Sequence, residues 1–364
     1  MIKDFFKNLY STFEKITGPA CFVMALVGLV SFLFNGLSIK WVIVIALGLS
    51  VIGILAAAVV TVILSINKRN RYTYSMPDDN VVGNQLKEAI KHWYEKEKYG
   101  EVVTFGRAIG RALYISACYE TRIEIGQIVE NAAKKLGDEN LRVNVLLDDV
   151  GWTKFLCGKE GALSDINNAL EIAKKTENYK AISKAFRHLF AIELSEEKNL
   201  EKAEEYLVQA YDACGKLSDG REKDSIYAGL YYAEAELDIK TKNYEHALEM
   251  AEKSKSIRKK LNEIDRHLRS YAQIGKIELL DPNGDIHDAR SQFYKGIDES
   301  LSVNRIDELV KNAYGYACCC YKLGEKKRAR KVTRDIIKKY GNIPLYSEDD
   351  ILRSKYNQLV DNKK

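Results

Sequence analysis

Proline is scarce in this chain, four in 364 residues, and glycine is ordinary at 23. Proline breaks helices by removing a backbone donor, and chains rich in proline and glycine stay unfolded. Their rarity therefore excludes collagen-like and disordered stretches and favours continuous helix. The seven cysteines, an odd number, contain no CxxC spacing, which argues against a disulfide framework and for a reducing compartment. Cys318, Cys319 and Cys320 are consecutive. Successive helical side chains fan out by about 100°, so these thiolates cannot converge on one metal ion and are read as buried structural thiols. An excess of one charge sign is also lacking. The net charge is +5, with Lys and Arg interspersed among Asp and Glu, so no basic stripe suited to nucleic acid is evident.

Signatures of catalysis are missing as well. The five histidines (His92, His188, His246, His267 and His287) show neither HExxH nor a paired metal spacing. No GxSxG, Walker loop or GxGxxG occurs, and the GRAIG at 106–110 is too short to cradle a phosphate. Adjacent carboxylates such as Glu196 and Glu197, or Asp349 and Asp350, read as solvated helix faces, because an acid–base pair needs an enclosed pocket to separate its pKa values. The expectation is a non-enzyme with no cofactor and no metal.

Charge of either sign is nearly absent from residues 19–67, where Lys40 is the single charged side chain. The uncharged runs 19–39 and 41–67 each reach the roughly 20 residues needed to cross a bilayer core as a helix. They predict a transmembrane hairpin, turned near Lys40 with Trp41 at the interface. Lys3, Lys7 and Lys15 flank its start and Lys68, Arg69 and Arg71 its end, which by the positive-inside tendency places both termini in the cytoplasm at an inner or plasma membrane. Residues 1–18 read as an amphipathic interfacial segment, with Ile2, Phe5, Phe6, Leu9, Phe13 and Ile16 at helical spacing. Small residues form two stripes: Gly28, Ser31 and Asn35 on the first span, and Ala46, Ser50, Gly53 and Ala57 on the second. Such stripes let helix backbones approach closely, either within the hairpin or in a homo-oligomer, where Asn35 would seek a hydrogen bond.

After a polar linker at 68–82 the chain repeats itself. Ala162, Ala203, Ala247, Ala289 and Ala329 each follow a turn-like segment, at separations of 41, 44, 42 and 40 residues. A fixed period in this range signals a solenoid of helical pairs. Ala203, Leu207 and Ala210 give a small, bulky, small pattern. Tyr244 stands at a turn before Ala247 and Ala251, and Gly324 before Ala329 and Ile336. Ala162, Ile166 and Ala169 keep the same spacing, Ala289, Phe293 and Gly296 repeat it, and a divergent copy occupies 121–137. The stretch 83–340 resembles tetratricopeptide repeats on these residues, although its period exceeds that family's 34 and the paired Trp, Leu, Gly and Tyr of the first helix are largely missing. The fold class expected is all-α: a transmembrane hairpin, then a solenoid of about six pairs, then a capping helix within 341–364 whose entry is marked by Ser347 and Asp349.

The resemblance implies a concave groove lined by first helices, at His188, Tyr232, Tyr271, Lys311, Tyr314, Tyr321 and Lys322, that takes a protein or peptide partner. Two functions fit: a membrane-anchored scaffold, or an effector whose array senses a ligand or partner and assembles the hairpin to perturb the bilayer.

Overall fold

The chain divides into Met1–Met76 and Pro77–Lys364, and the second unit carries every described helix. The computed structural model describes residues 79–196 and 199–361. The interfacial segment, both expected spans and their stripe residues (Gly28, Ser31, Asn35, Ala46, Ser50, Gly53 and Ala57) lie outside the described residues. Among the described residues every regular element is helical, and no helix is long and apolar enough to cross a membrane.

A leading helix, α1 (Asp79–Glu95), begins inside the stretch expected to be linker. Consecutive helices then pair. The first pair is α2 (Tyr99–Ile115) with α3 (Tyr119–Leu136). Next, α4 (Glu139–Asn144) runs through a π-helical segment, Val145–Gly151, into α5 (Trp152–Leu156), and this composite helix packs on α6 (Ala162–Lys175). The array continues with α7 (Tyr179–Glu196) on α8 (Leu200–Gly215) and α9 (Arg221–Thr241) on α10 (Tyr244–Lys260). A short α11 (Ile264–His267) leads into α12 (Arg269–Leu280), which packs on α13 (Ile286–Ser302). The last pair is α14 (Ile306–Lys322) with α15 (Lys326–Tyr340), and α16 (Ser347–Asp361) covers α14.

The marker alanines explain the stacking. Ala162, Ala203, Ala247, Ala289 and Ala329 are all buried in the first turns of second helices, and Ile166, Leu207, Phe293 and Ile336 are buried beyond them. A methyl at these places lets the neighbouring helix approach while the bulky residue, one turn on or two in the case of Ile336, fills the gap. Starts are capped where a short polar side chain is available. Asp138 accepts from the Leu141 amide (2.9 Å) and Asn199 from the Lys202 amide (3.0 Å). Helix ends share a device: a residue with positive φ, followed by an amide that donates back to the carbonyl five residues earlier. Gly324 (φ 75°) with Glu325 N on Cys320 O (2.8 Å) is one case, and Lys242 (φ 63°) with Asn243 N on Asp238 O (2.8 Å) another.

The array closes on its own axis. Arg111 at the end of α2 pairs with Asp265 in α11, 154 residues away. The Arg305 guanidinium stands 5.6 Å from the Tyr114 ring, and the Tyr346 hydroxyl donates to Ala191 O (2.9 Å) across 155 residues. Inside this turn lies α14, whose side chains from Ile306 through Tyr321 are all buried. A helix buried on every face is ordinarily apolar, but this one carries Asp307, Glu308, Lys311 and Asn312 into the interior.

Candidate functional site on the inner face

Successive first helices meet along the inner face of the turn, and most of the junctions are held by ion pairs. The π-helical segment adds a residue to its turn, and Asp148 and Asp149 reach in different directions from it. Asp148 pairs with Lys184 of α7 (2.7 Å) and lies 3.4 Å from His188 Nε2, while Asp149 pairs with Arg122 of α3 (2.6 Å). Burial opposes the charge on Asp148, yet Lys184 and His188 hold its carboxyl well below the ordinary range. Between α9 and α12, Lys276 pairs with Glu236, both about 2% exposed, and Gln273 donates to Glu236 Oε1 (2.7 Å). Between α12 and α14, Arg269 lies 3.7 Å from Glu308, which also takes Lys311 (2.7 Å), and Arg305 chelates Asp307 (2.8 and 2.9 Å).

The junction of α7 with α9 is built differently. Lys180 and Glu222 pair at its exposed end. Two turns deeper, Arg187 crosses to Gly229, where a Cβ would sit 3.8 Å from its Cδ and Nη1. Arg187 makes no hydrogen bond or ion pair among the described residues. Around it stand Arg258, Arg266 and Arg269. Arg258 is 3% exposed and donates only to neutral acceptors: Ser254 Oγ (3.1 Å), Arg266 O (3.0 Å) and Ala228 O (3.3 Å). Arg266 donates to Ser225 Oγ (2.8 Å) and to Glu263 (3.2 Å), and Arg269 stacks 4.3 Å over the Tyr232 ring. Burial, then neighbouring arginines, pushes Arg187 down to about 10 and Arg258 to about 9. Further along the same face, Tyr114, Trp152, Arg269, Lys311 and Tyr346 line a narrow recess.

The groove residues expected from the sequence fall on first helices, and six of the seven are buried. His188 stacks on Trp152 (4.7 Å), and burial pushes its imidazole down to about 4. Tyr232 lies beneath Arg269, and the Tyr271 hydroxyl donates to Glu299 (2.7 Å). Lys311 is held by Glu308, and Tyr314 donates to Gly341 O (3.2 Å). Tyr321 meets Tyr356 edge to face (5.8 Å), and the exposed Lys322 reaches Leu279 O (3.2 Å). These contacts tie repeat to repeat. His188, Tyr232 and Lys311 adjoin the ionic lining, while Tyr314 and Tyr321 are covered by α16.

The arginine cluster went unseen in the sequence, since Arg187, Arg258, Arg266 and Arg269 come from three repeats and share no spacing. The one available signal was Arg187 itself, adjacent to His188 on the helix face already singled out. A second feature concerns charge. Lys326, Lys327, Arg330, Lys331, Arg334 and Lys338 are all exposed on α15, where Asp335 is the lone acid, so one helix concentrates a basic surface that whole-chain averages conceal. Among the described residues no group of three or more His, Cys, Asp or Glu side chains is placed to hold a metal. No family model matches the chain, and no curated protein matches it.

Proposed function

We propose that the protein is a membrane-anchored, non-enzymatic interaction module. The hairpin at 19–67 holds it in an inner or plasma membrane with both termini cytoplasmic, and the array at 83–340, tetratricopeptide-like in pattern, binds a protein or peptide partner. The observation that carries this reading is the inner face, where successive repeats bring charged and aromatic side chains together, the partly exposed Asp148, Trp152, Lys184 and Arg269 among them. Stacked repeats use such faces for recognition. The exposed basic face of α15 supports the membrane half, because lysine and arginine clusters are attracted to anionic lipid headgroups.

A test is to purify the detergent-solubilised chain from its native cell and identify co-purifying proteins by mass spectrometry, after confirming that alkaline carbonate leaves it in the membrane pellet. A stoichiometric partner released by charge reversal on the inner face, for example Lys184→Glu, supports the scaffold. Extraction into the carbonate supernatant overturns the anchor.

The effector reading is kept alive by the small-residue stripes and Asn35. Replacing Ala46, Ser50, Gly53 and Ala57 with Leu leaves a passive anchor working and disables a hairpin that must assemble. Ion leakage from liposomes carrying the wild-type chain, lost in that variant, would favour the effector.

A further inference from the structure

We infer that the inner face of the array holds a specific anion site at the α7–α9 junction, built by Arg187, Arg258, Arg266 and Arg269, and that its ligand is a soluble small molecule bearing a phosphate dianion. The inference rests on reading the array as a binding module, and it names a ligand class where the proposed function names none.

The first ground is the charge imbalance. A buried charge is ordinarily paired with an opposite charge, because water no longer solvates it. The neighbouring inner-face junctions obey this rule, with Lys184 on Asp148, Lys276 on Glu236 and Arg269 facing Glu308. At α7–α9 the rule fails. Arg258, 3% exposed, donates only to two carbonyls and a serine hydroxyl, and the half-buried Arg187 has no hydrogen-bonding partner among the described residues. Glu263 supplies the local carboxylate and is engaged by Arg266 and by the Ser225 hydroxyl. Asp148 and Glu263 act on Arg187 and Arg258 without touching them, so neither guanidinium has a carboxylate in contact and the junction keeps an excess of positive charge suited to an anion.

The second ground is the residue type. This chain is rich in lysine, yet the four cations converging here are all arginines. The planar fork of a guanidinium presents two parallel donors to a tetrahedral phosphate, whereas lysine offers a point charge. The third ground is placement. Gly229 presents no side chain beneath Arg187, and the Arg187 atoms lie 3.8 Å from where a Cβ would stand, so the guanidinium packs against the α9 backbone beside Ala228, whose carbonyl takes Arg258. Burial and mutual repulsion disfavour the charged state of Arg187 and Arg258, and a bound anion removes that penalty.

The experiment uses the full chain in detergent at pH 7.5. Its melting temperature is followed as sodium pyrophosphate, inorganic phosphate or acetate replaces sodium chloride at constant ionic strength. A saturable rise with phosphate and a larger one with pyrophosphate, with acetate inert, is the expected result. Arg187→Ala should weaken the apparent affinity by about tenfold or more, the loss of one charge-assisted hydrogen-bonding pair, without lowering the unliganded melting temperature. Arg187→Glu should raise the unliganded melting temperature, by giving the remaining arginines a carboxylate, and abolish the response to phosphate. Three results each overturn the proposal: no saturable response, an equal response to acetate, or a response unchanged in Arg187→Ala. Because the readout needs neither membrane nor partner protein, failure here leaves the anchor and scaffold reading standing, and loss of that reading leaves this one testable.

Discussion

His188 shows how a single buried side chain couples the array to pH. Burial, partly offset by the contact with Asp148, sets its pKa at about 4 in the folded chain against 6.5 when unfolded. Between these values the unfolded chain binds a proton that the folded chain refuses, so stability rises with pH across this window and is lost as pH falls through it. The full effect is on the order of 3 kcal/mol. The expected outcome is a melting temperature that drops from pH 7 to pH 5 in the native chain and drops less in His188→Gln, measured by circular dichroism. Equal slopes would show that other groups carry the acid sensitivity. Asp148, held well below the ordinary carboxylate range, contributes its own loss only in stronger acid.

At the scale of the helix, the turns and close approaches set the geometry, and they were unequally legible. The second helices could be read from Ala203 with Leu207, or Ala289 with Phe293, because a small residue followed one turn later by a bulky one is a local pattern dictated by stacking. The ends could not, because the positive-φ position is Gly at 137, 158 and 324 but Glu97, Ala117, Glu177, Lys242, Asn262 and Asn304 elsewhere. In these cases the back-donated amide and the packing of the next helix impose a conformation the residue does not favour. Lys242→Gly should therefore stabilise the array by about 0.5–1 kcal/mol, and Asn262→Gly by less, since asparagine tolerates this region; chemical denaturation measures both. Close approach works in the opposite sense at Gly315 and Gly275, which flank the Phe293 ring. A Cβ on Gly315 would stand 2.2 Å from that ring, and one on Gly275 2.9 Å. Gly315→Ala should cost about 1–3 kcal/mol through overpacking. Gly100→Ala, with nothing within 4 Å, should gain about 0.5–1 kcal/mol as helix propensity dictates.

For the molecule as a whole, the decisive feature is closure of the array around α14, and no sequence period reports it. The ion pair of Arg111 with Asp265 and the ring of Tyr114 beside Arg305 join residues with no shared motif, and the inner-face arginines meet only because the array curves. The helices packed on α14 also hide the cysteine run. Burial pushes the Cys318 thiol up to about 12, and its Sγ lies 3.5 Å from Leu352 O in α16. Cys318, Cys319 and Cys320 are therefore expected to resist maleimide in the intact chain. Deleting residues 341–364 should make Cys318 the first of the three to react, as read by peptide mapping. Protection that survives the deletion would show that α16 is not the cover.

Closure also has a cost in time. The Tyr346 hydroxyl meets the carbonyl of Ala191 across 155 residues. At a synthesis rate of about 5–20 residues per second, the ribosome needs roughly 8–30 s to make the second partner after the first. Throughout that interval the early repeats stand stacked with their inner face uncovered. An apolar face left open for so long would recruit other nascent chains, whereas a lining of Lys184, Asp148, Arg187 and Glu236 holds water while the later repeats are made. The ionic interior is thus a means of keeping a half-made protein soluble, whatever it later binds.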